Sequence, residues 1–182
     1  CIRDRFNKNH ILGIGINIYE NYNNENKFYN SFSFYDHELN LVKAYNKIKL
    51  VPFGEFLPFE KVLGSIGLKS LANNYQSFSS GENREIIIIN KKEFDFKILP
   101  LICYEIIYSG RIFDNLDFDY IINISEDGWF GNSVGPHQHF AHSIFRAIES
   151  GKYLIRSSNN GITAIISPCL LYTSDAADDS LR

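Results

Sequence analysis

Short runs of apolar residues, alternating or continuous, predict β-strands along the first half of the chain. Residues 11–18 (ILGIGINI) and 28–35 (FYNSFSFY) flank an Asn-rich stretch, which predicts two strands joined by a turn. A third extended segment over about 41–51 leads into PFGEFLPF, whose two prolines and one glycine favour a fixed loop over a regular element. Residues 64–84, rich in Gly, Ser and Asn, predict a mobile surface excursion.

The second half of the chain alternates buried strands with one helix. Strands are predicted at 86–90, 94–102 and 119–125, and the last is followed by a Gly-rich loop, EDGWFGNSVGP. A helix is predicted from Pro136, a favoured first-turn residue, to Gly151, a favoured terminator. Its apolar positions follow a 3.6-residue period at Phe140, Ala141, Ile144, Phe145 and Ile148.

The end of the chain carries two more strands and then changes in character. Strands are predicted at 153–157 and 161–166 around a tight turn, SNNG. Continuous apolar strands with few helices predict a layered α/β protein with a covered sheet. Residues 169–182 (CLLYTSDAADDSLR) lack periodicity, so we expect a non-homologous or disordered tail after a domain over 1–168.

Composition narrows the function classes. The 182 residues are 45% hydrophobic and 21% charged, which is ordinary for a globular protein and excludes a coiled coil or a wholly disordered chain. A formal net charge of -3 gives no general attraction to nucleic acid or to anionic lipid. No run approaches the ~18 apolar residues of a membrane-spanning helix. Because the sequence contains no Met and begins with Cys1, we expect it to be an internal piece of a longer protein.

Cys103 is the first candidate for chemistry. Three cysteines, Cys1, Cys103 and Cys169, are too few and too scattered for a disulfide framework or a zinc cluster. Cys103 alone follows a strongly apolar strand, in LPLICYEIIYSG. A thiol at a strand-to-helix junction can act as a nucleophile when a nearby cation or base lowers its pKa from about 8.5. A buried structural cysteine is the alternative.

Charged residues around the proline-fixed loop could serve such a thiol. In YNKIKLVPFGEFLPF, Lys47 could stabilise a thiolate or an oxyanion, and Glu55 could act as a base or orient the lysine. A surface lysine and a loop glutamate are the alternative. Spacing alone does not choose between Lys47 and Lys49, which face the same way on a strand. Glu105 could position Lys47 or tune the thiol, or it could face solvent at the rim of the site.

The Gly-rich loop carries the only tryptophan, Trp129, beside Phe130. Gly-flanked aromatic residues often shape a pocket, and anchoring of the loop to the core is equally consistent with the pattern. His137, His139 and His142 invite a zinc interpretation. Because the first two lie on different helix faces and no carboxylate completes the set, we expect capping and packing of the helix start, and no metal.

Four blocks of sequence, in this order, resemble the carbon–nitrogen hydrolase (nitrilase) superfamily. They are YNKIKLVPFGEFLPFE (45–60), LPLICYEIIYSG (99–110), ISEDGWFGNSVGPHQHF (124–140) and RAIESGKYLIRSSNNGIT (146–163). The first two fit the whole superfamily, whereas the Trp-Phe-Gly, Gly-Pro-x-Gln-His and Asn-Asn-Gly-Ile-Thr segments are similar to the apolipoprotein N-acyltransferase family. The resemblance covers about residues 11–168. It implies a four-layer αββα sandwich, of which this chain would hold an incomplete part.

The resemblance also implies a Glu-Lys-Cys triad. In it Cys103 is the nucleophile, and Lys47, not Lys49, is the lysine. Glu55 and Glu105 match acidic residues that the family regards as essential or supportive. The family's general-base Glu lies upstream of the stretch matched by this chain, as does its membrane-spanning bundle. We therefore expect the chain alone to be inactive.

Residues of the Cys-Tyr-Glu and Trp-Phe-Gly blocks complete the implied site. Tyr104, Trp129 and Phe130 match residues that line it in the family. Glu126 stands where an amide is more usual, so we expect the hydrogen bonds of that loop to differ.

The implied activity is transfer of a fatty acyl chain from a phospholipid to the N-terminal α-amine of a diacylglyceryl-cysteine lipoprotein, through a thioester on Cys103. This implies phospholipid and lipoprotein partners at the bacterial inner membrane, a catalytic domain on the periplasmic side, no cofactor and no nucleic acid. A soluble nitrilase-type amidase acting on a small amide is the alternative enzyme. A binding protein that has lost its site is disfavoured, because Lys47, Glu55, Cys103 and Glu105 are all present.

Overall fold

The computed structural model describes residues 7–22, 25–58, 77–90, 95–110, 112, 117–169 and 172–173. In this part of the chain, two β-sheets and one long α-helix form the framework. Most of the predicted surface excursion, up to residue 76, lies outside the described residues.

The first sheet is an antiparallel meander of three strands: β1 (Leu12–Tyr22), β2 (Glu25–Tyr35) and β3 (Leu41–Asn46). The first two are longer than predicted, since their pairing continues through the Asn-rich stretch expected to be the turn. Side chains stabilise this polar end. The rings of Tyr19 and Phe28 pack 4.8 Å apart, and the Tyr19 hydroxyl donates to Asn26. Cross-strand side-chain pairs therefore extend the hairpin where composition alone indicated a loop.

β3 is shorter than the extended segment 41–51 that the sequence predicts. Beyond the strand, the backbone N–H groups of residues 48–49 donate to Glu105, and that of Val51 donates to Glu55. Side-chain carboxylates thus satisfy amides that a longer strand would have paired in the sheet. The loop after β3 is held by these two acids as well as by its prolines.

The second sheet has six strands: β4 (Ile87–Asn90), β5 (Asp95–Ile102), β6 (Tyr120–Glu126), β7 (Tyr153–Asn159), β8 (Ala164–Ile166) and β9 (Tyr172–Thr173). They lie side by side in sequence order. The central three, β5 to β7, run parallel, and the outer strands are antiparallel to their neighbours. Parallel strands covered on both faces need apolar residues at successive positions, and the end of β5 is buried in this way.

Helix α1 (Gly135–Ser150) joins β6 to β7 and confirms the helix predicted between Pro136 and Gly151. Pro136 lies in the first turn, and Gly151 adopts φ +64°, the left-handed conformation that ends a helix. Such a crossover is what two neighbouring parallel strands require. None of the described helices combines the length and the apolar character needed to cross a bilayer.

The core is divided between the two faces of the six-stranded sheet. On one face, residues such as Leu99 pack against Ala147 of α1. On the other, Ile102 belongs to a cluster with Phe32 and Phe34 of the first sheet. The described residues therefore form helix, sheet and sheet layers. This arrangement confirms the predicted α/β class and supplies three of the four layers expected.

The hairpin of β7 and β8 differs from its prediction. β7 continues to Asn159, because it stays paired with β6 until Asn159 lies opposite Glu126. Asn160 then turns the chain with φ +54°, and β8 starts only at Ala164. The short β9 falls inside the segment predicted as a tail, 169–182, most of which lies outside the described residues. The domain boundary after residue 168 stays a prediction.

Candidate active site

Cys103 lies where β5 ends and a five-residue 3₁₀ turn, Cys103–Ile107, begins. Its φ angle is +47°, in the left-handed region that residues other than glycine rarely occupy. Such a conformation costs on the order of 1–3 kcal/mol and persists where the surrounding structure enforces it, often at functional sites. The residue is partly buried and packs against the core between the two sheets. The role of Cys103 as a nucleophile stays a prediction, with a structural cysteine as its alternative.

Lys47 forms a buried ion pair with Glu55 just after β3. Its Nζ lies 2.8 Å from Oε1 and 2.7 Å from Oε2 of Glu55, and the lysine side chain is 1% exposed. Glu55 also accepts from the Asn30 amide, so the buried charges are hydrogen-bonded as burial requires. Lys49 is exposed, with its ammonium 6.0 Å from the ring centre of Tyr108. Burial and pairing thus distinguish the two lysines that spacing left open.

Glu105 is fully buried and ties the loop after Lys47 to the strand that ends at Cys103. Its Oε1 accepts from the backbone N–H groups of residues 48 and 49 at 3.1 and 3.2 Å, and its Oε2 accepts from that of Ile102 at 2.9 Å. The alternative of a solvent-facing rim position is therefore wrong. Because Ile102 directly precedes Cys103 and residue 48 directly follows Lys47, one carboxylate holds both candidate segments together.

Sequence reasoning misses two other partners of Glu105. The Tyr45 hydroxyl donates to Oε1 at 2.8 Å, and Nη2 of Arg84 lies 3.3 Å from the same oxygen. Burial, and then the Glu105 charge, raise the pKa of the Tyr45 hydroxyl well above its ordinary value, so this group stays a donor. Tyr45 lies two residues before Lys47, so strand alternation could have found it. Arg84 comes from a stretch without any motif.

The aromatic pair predicted to line the site lies at the same edge of the sheet as Cys103. β5 and β6 run parallel and in register up to the last residue of β5, so the chain leaves both strands on the same side. β6 is followed by a 3₁₀ turn, Asp127–Phe130. In it Trp129 is 79% exposed and Phe130 is 38% exposed. The turn therefore presents aromatic surface to solvent at the end of the sheet where Cys103 leaves β5.

Two further residues flank this edge. Tyr104 is partly buried and packs edge-to-face on Tyr108, with ring centres 5.9 Å apart. Glu126 accepts from the backbone N–H of Gly128 at 2.8 Å through Oε1, and from the Asn159 amide through Oε2. An amide in place of Glu126 could accept through one oxygen only. The carboxylate thus serves as an acceptor on two sides of the loop.

The three histidines of α1 are spread over different environments. His137 is exposed, His142 is partly buried, and His139 is buried with its Nδ1 2.8 Å from Oδ1 of Asp127. Burial, and then the charges of Arg146 and His139, lower the pKa of His142. Within the described ranges, no group of three or more His, Cys, Asp or Glu side chains is placed to hold a metal ion.

Together these residues supply the parts of a nucleophilic site. Cys103 lies at the end of β5 in a strained backbone conformation. The buried ammonium of Lys47 lies on the segment that Glu105 ties to the end of this strand. A thiolate can attack a carbonyl carbon, and a fixed cation or N–H can stabilise the oxyanion that forms. The arrangement can therefore support acyl transfer through a covalent intermediate.

Comparison with known proteins shows the family of the chain. The model of the carbon–nitrogen hydrolase family matches residues 2–180. An apolipoprotein N-acyltransferase of Wigglesworthia glossinidia brevipalpis is 46% identical over 131 residues, which are 71% of this chain and 26% of that protein. One from Brucella suis biovar 1 is 36% identical over 158 residues, 86% of this chain and 29% of that protein. The chain thus spans little more than a quarter of the length of these curated relatives.

Solved structures share the fold at low identity. A carbon–nitrogen hydrolase from Helicobacter pylori G27 has a TM-score of 0.61 and 16% identity, covering 92% of this chain and 58% of that one. An amidase from Nesterenkonia sp. AN1 has a TM-score of 0.58 and 15% identity, covering 95% of this chain and 58% of that one. That structure carries an acetamide moiety on its active-site cysteine. At this identity the likeness concerns the fold alone.

Proposed function

The chain belongs to the carbon–nitrogen hydrolase family, and from that premise we propose that it is the nucleophile-bearing part of a phospholipid-dependent lipoprotein N-acyltransferase. The carbon–nitrogen hydrolase family and the curated relatives are enzymes, and so is this protein. The relatives at 36–46% identity are named apolipoprotein N-acyltransferases, whereas the amidase likeness is at 15% identity. The acyltransferase is therefore favoured over the alternative of a soluble amidase for a small amide.

The observation that carries the proposal is the position of Glu105. Its carboxylate binds the backbone just after Lys47 and the backbone just before Cys103. An ammonium and a thiol that are 56 positions apart in sequence (103 minus 47) are thereby held on adjoining segments. This is the pairing that a cysteine nucleophile with a cationic oxyanion partner needs.

The first half-reaction is attack of the Cys103 thiolate on an ester carbonyl of a phospholipid. A bond forms between Sγ and the acyl carbon, and the ester carbon–oxygen bond breaks. The thiol proton passes to a carboxylate base, the Glu that the family places upstream of the matched stretch, and then to the departing lysophospholipid oxygen. The product is a thioester on Cys103.

In the second half-reaction the free α-amine of the lipoprotein's diacylglyceryl-cysteine attacks the thioester. A carbon–nitrogen bond forms, the carbon–sulfur bond breaks, and the amine proton returns through the base to the Cys103 sulfur. The result is an amide and a restored thiol. A thioester suits this sequence because it is reactive toward amines, provided that water is kept away from it.

Lys47 and the backbone N–H of Tyr104 would stabilise the oxyanion of both tetrahedral intermediates. Glu55 would hold the Lys47 ammonium in place through its two close contacts. One such donor is worth about 3–4 kcal/mol in enzymes of similar chemistry. Trp129 and Phe130 would form the apolar cover of the site. The scheme needs no metal, no organic cofactor and no nucleic acid.

The proposed setting is the one that the family resemblance implies. We propose that the reaction, with its phospholipid donor and diacylated lipoprotein acceptor, takes place at the bacterial inner membrane, with the catalytic domain on the periplasmic side. Because the base lies outside the matched stretch, the chain by itself would be inactive. Activity would belong to the complete protein that carries it.

The test is covalent labelling of the complete protein with a phospholipid whose acyl chain is radiolabelled. We expect a hydroxylamine-sensitive label that disappears in Cys103→Ala. Lys47→Met should reduce the labelling rate by at least about 100-fold, since it removes an oxyanion partner. Lys49→Met is the matched control and should label normally, because that side chain is exposed.

Label that persists in Cys103→Ala would contradict the proposal, and so would equal losses in the two lysine variants. Hydrolysis of small amides by a protein that takes no label from phospholipid would instead support the amidase.

A further inference from the structure

A network of buried polar side chains surrounds Asp127, the first residue of the turn Asp127–Phe130, which is called the aromatic turn below. The fully buried Asp127 carboxylate accepts from Nη2 of Arg156 and from the Ser125 hydroxyl, each at 2.7 Å. Its Oδ1 also lies 2.8 Å from Nδ1 of His139. Burial by itself would raise the pKa of the Asp127 carboxyl, but the hydrogen bonds from His139 and Ser125 and the Arg156 charge hold this pKa well below its usual range. Asp127 is thus an anion fixed by three side chains.

The network crosses the three parallel strands and reaches the segment before Cys103. Arg156 on β7 also donates to Oδ1 of Asn123 on β6. The Asn123 amide in turn donates to the carbonyl oxygen of Leu101 on β5 at 3.1 Å. Leu101 lies two residues before Cys103. The planar guanidinium of Arg156 can donate to Asp127 and Asn123 at the same time. The ammonium of a lysine lacks this planar arrangement of donors.

Ser125, His139 and Asp127 do not form a second nucleophilic triad. The Ser125 hydroxyl bonds the Asp127 carboxylate directly and lies 3.5 Å from Nδ1 of His139, the nitrogen that also faces Asp127. A histidine that activates a serine faces the serine with one nitrogen and the carboxylate with the other. The role of these residues is therefore to hold structure.

What they hold is the start of the aromatic turn. Asp127 is its first residue, so fixing this carboxylate fixes where Trp129 and Phe130 leave the sheet. The ring centres of Phe130 and His139 lie 5.5 Å apart. A Cβ placed on Gly161 would lie 2.2 Å from Oδ2 of Asp127, so the loop after β7 also closes on the carboxylate.

We propose that Asp127, His139 and Arg156 are positioning residues that fix the Trp129–Phe130 turn at the end of the sheet where Cys103 leaves β5, and that the turn so fixed keeps water from the thioester on Cys103. This inference rests on the proposed function. Water and the acceptor amine compete for a thioester, so exclusion of water sets the share of acyl groups that is transferred. Leu154, on the same face of β7 as Arg156, packs on the helix side of the sheet, whereas Cys103 packs between the sheets. The network thus acts through the turn and not on the reacting atoms.

The test is the ratio of thioester hydrolysis to acyl transfer, measured in the complete protein with labelled phospholipid and a diacylglyceryl-cysteine peptide. His139→Leu removes one of the three side chains that hold Asp127. Arg156→Lys keeps the positive charge but loses the planar guanidinium that bridges Asp127 and Asn123. Both should raise the ratio at least about tenfold, since small misplacements of a site cost that much or more. His139→Asn puts an amide nitrogen near the place of Nδ1 and should keep the ratio within about twofold of the unmodified protein.

His137→Leu is the matched control, an exposed histidine on the same helix, and should leave the ratio unchanged. A purely structural role would lower yield or thermal stability without moving the ratio. Should His139→Leu fail to fold, Arg156→Lys still carries the test, with His139→Asn as its conservative control. An unchanged ratio in folded His139→Leu and Arg156→Lys, or in folded Arg156→Lys alone if His139→Leu does not fold, overturns the inference.

Alkylation of Cys103 by iodoacetamide, followed by mass spectrometry, separates this inference from the proposed function because it needs no acyl donor. The rate should rise in His139→Leu and Arg156→Lys and stay the same in His139→Asn and His137→Leu. Equal rates in all variants overturn the positioning role. Shifted rates in a protein that takes no acyl group from phospholipid would uphold the positioning role and remove the proposed function.

Discussion

At Cys103 the backbone adopts an energetically unfavourable conformation at the point where the chain leaves β5. The φ angle of +47° lets the chain turn sharply out of β5, and the cysteine is partly buried at the end of that strand. Glu105, two residues later, accepts from the backbone N–H of Ile102 and helps to hold this turn. A strained junction braced by a buried carboxylate explains how a residue that disfavours this conformation is kept in it.

The strain can be measured by comparing two substitutions at the same position. At ordinary positions glycine is about 0.5–1 kcal/mol less favourable than alanine. At Cys103 alanine keeps the left-handed penalty of about 1–2 kcal/mol and glycine does not. We therefore expect Cys103→Gly to be at least as stable as Cys103→Ala in urea unfolding. Tyr104→Gly and Tyr104→Ala form the control pair, in which alanine should be the more stable. If Cys103→Ala were more stable than Cys103→Gly by the usual amount of about 0.5–1 kcal/mol, the φ angle at position 103 would carry no strain.

Glu105 should matter for stability more than an exposed glutamate does. Glu105→Gln puts an amide NH₂ where one oxygen accepts from backbone N–H groups, so buried donors lose their acceptor. We expect a loss of about 1–3 kcal/mol in the free energy of unfolding. Glu85→Gln, which removes a 2.7 Å pair with Lys43 on the surface, should cost less than about 1 kcal/mol. Equal losses in the two variants would count against the bracing role of Glu105.

Among the elements, the three parallel strands and the loops that leave them do most to build the site. β5 leads to Cys103, β6 to the aromatic turn, and β7 to the loop 160–163, all at one edge. The loops meet closely, because the residue at position 161 has no side chain and Asp127 occupies the space. The contact between the loop after β7 and the turn after β6 thus depends on Gly161, which the sequence pattern predicts only as part of a turn.

Gly161→Ala should disturb this meeting point. Its Cβ would lie 2.2 Å from Oδ2 of Asp127, a carboxylate that three side chains hold in place. We expect a loss of about 1–3 kcal/mol in stability, as for other overpacked sites. Gly15→Ala is the matched control, since its Cβ would meet only the terminal Cδ1 of Ile124 at 3.0 Å, which can rotate away. A larger loss at position 15 would contradict the proposed crowding at Asp127.

On the scale of the whole molecule, buried charges are set into an apolar interior. Aliphatic and aromatic residues form clusters on both faces of the six-stranded sheet. Two buried salt bridges, Lys47 with Glu55 and Arg156 with Asp127, lie among these residues. The lowered pKa of the Asp127 carboxyl makes the stability of the fold depend on pH.

Acid should therefore destabilise the protein partly through Asp127. Because its folded-state pKa is lowered, its contribution is complete above the unfolded value of about 3.9 and is lost as the pH falls further toward the folded value. Asp127→Asn should be less stable near neutrality and should lose less stability between pH 5 and pH 2, measured as the free energy of urea unfolding. Asp95→Asn, at an exposed strand end, is the control and should follow the unmodified protein. Parallel curves for Asp127→Asn and the unmodified protein would contradict this assignment.

Local pattern sufficed for most strands and for α1 with its proline and glycine ends, and it marked Cys103 as a candidate nucleophile, which stays a prediction. These features depend on neighbours a few residues away, namely the period of burial, the caps and the strand-to-turn junction. The length of β3, the burial of Glu105, and the partnership of Asp127, His139 and Arg156 could not be read in this way. Their hydrogen bonds join residues far apart in the chain, 60 positions for Tyr45 with Glu105 and 29 for Asp127 with Arg156. Only folding brings such groups together, because burial makes a charged or polar side chain take whichever partner the packed strands place beside it.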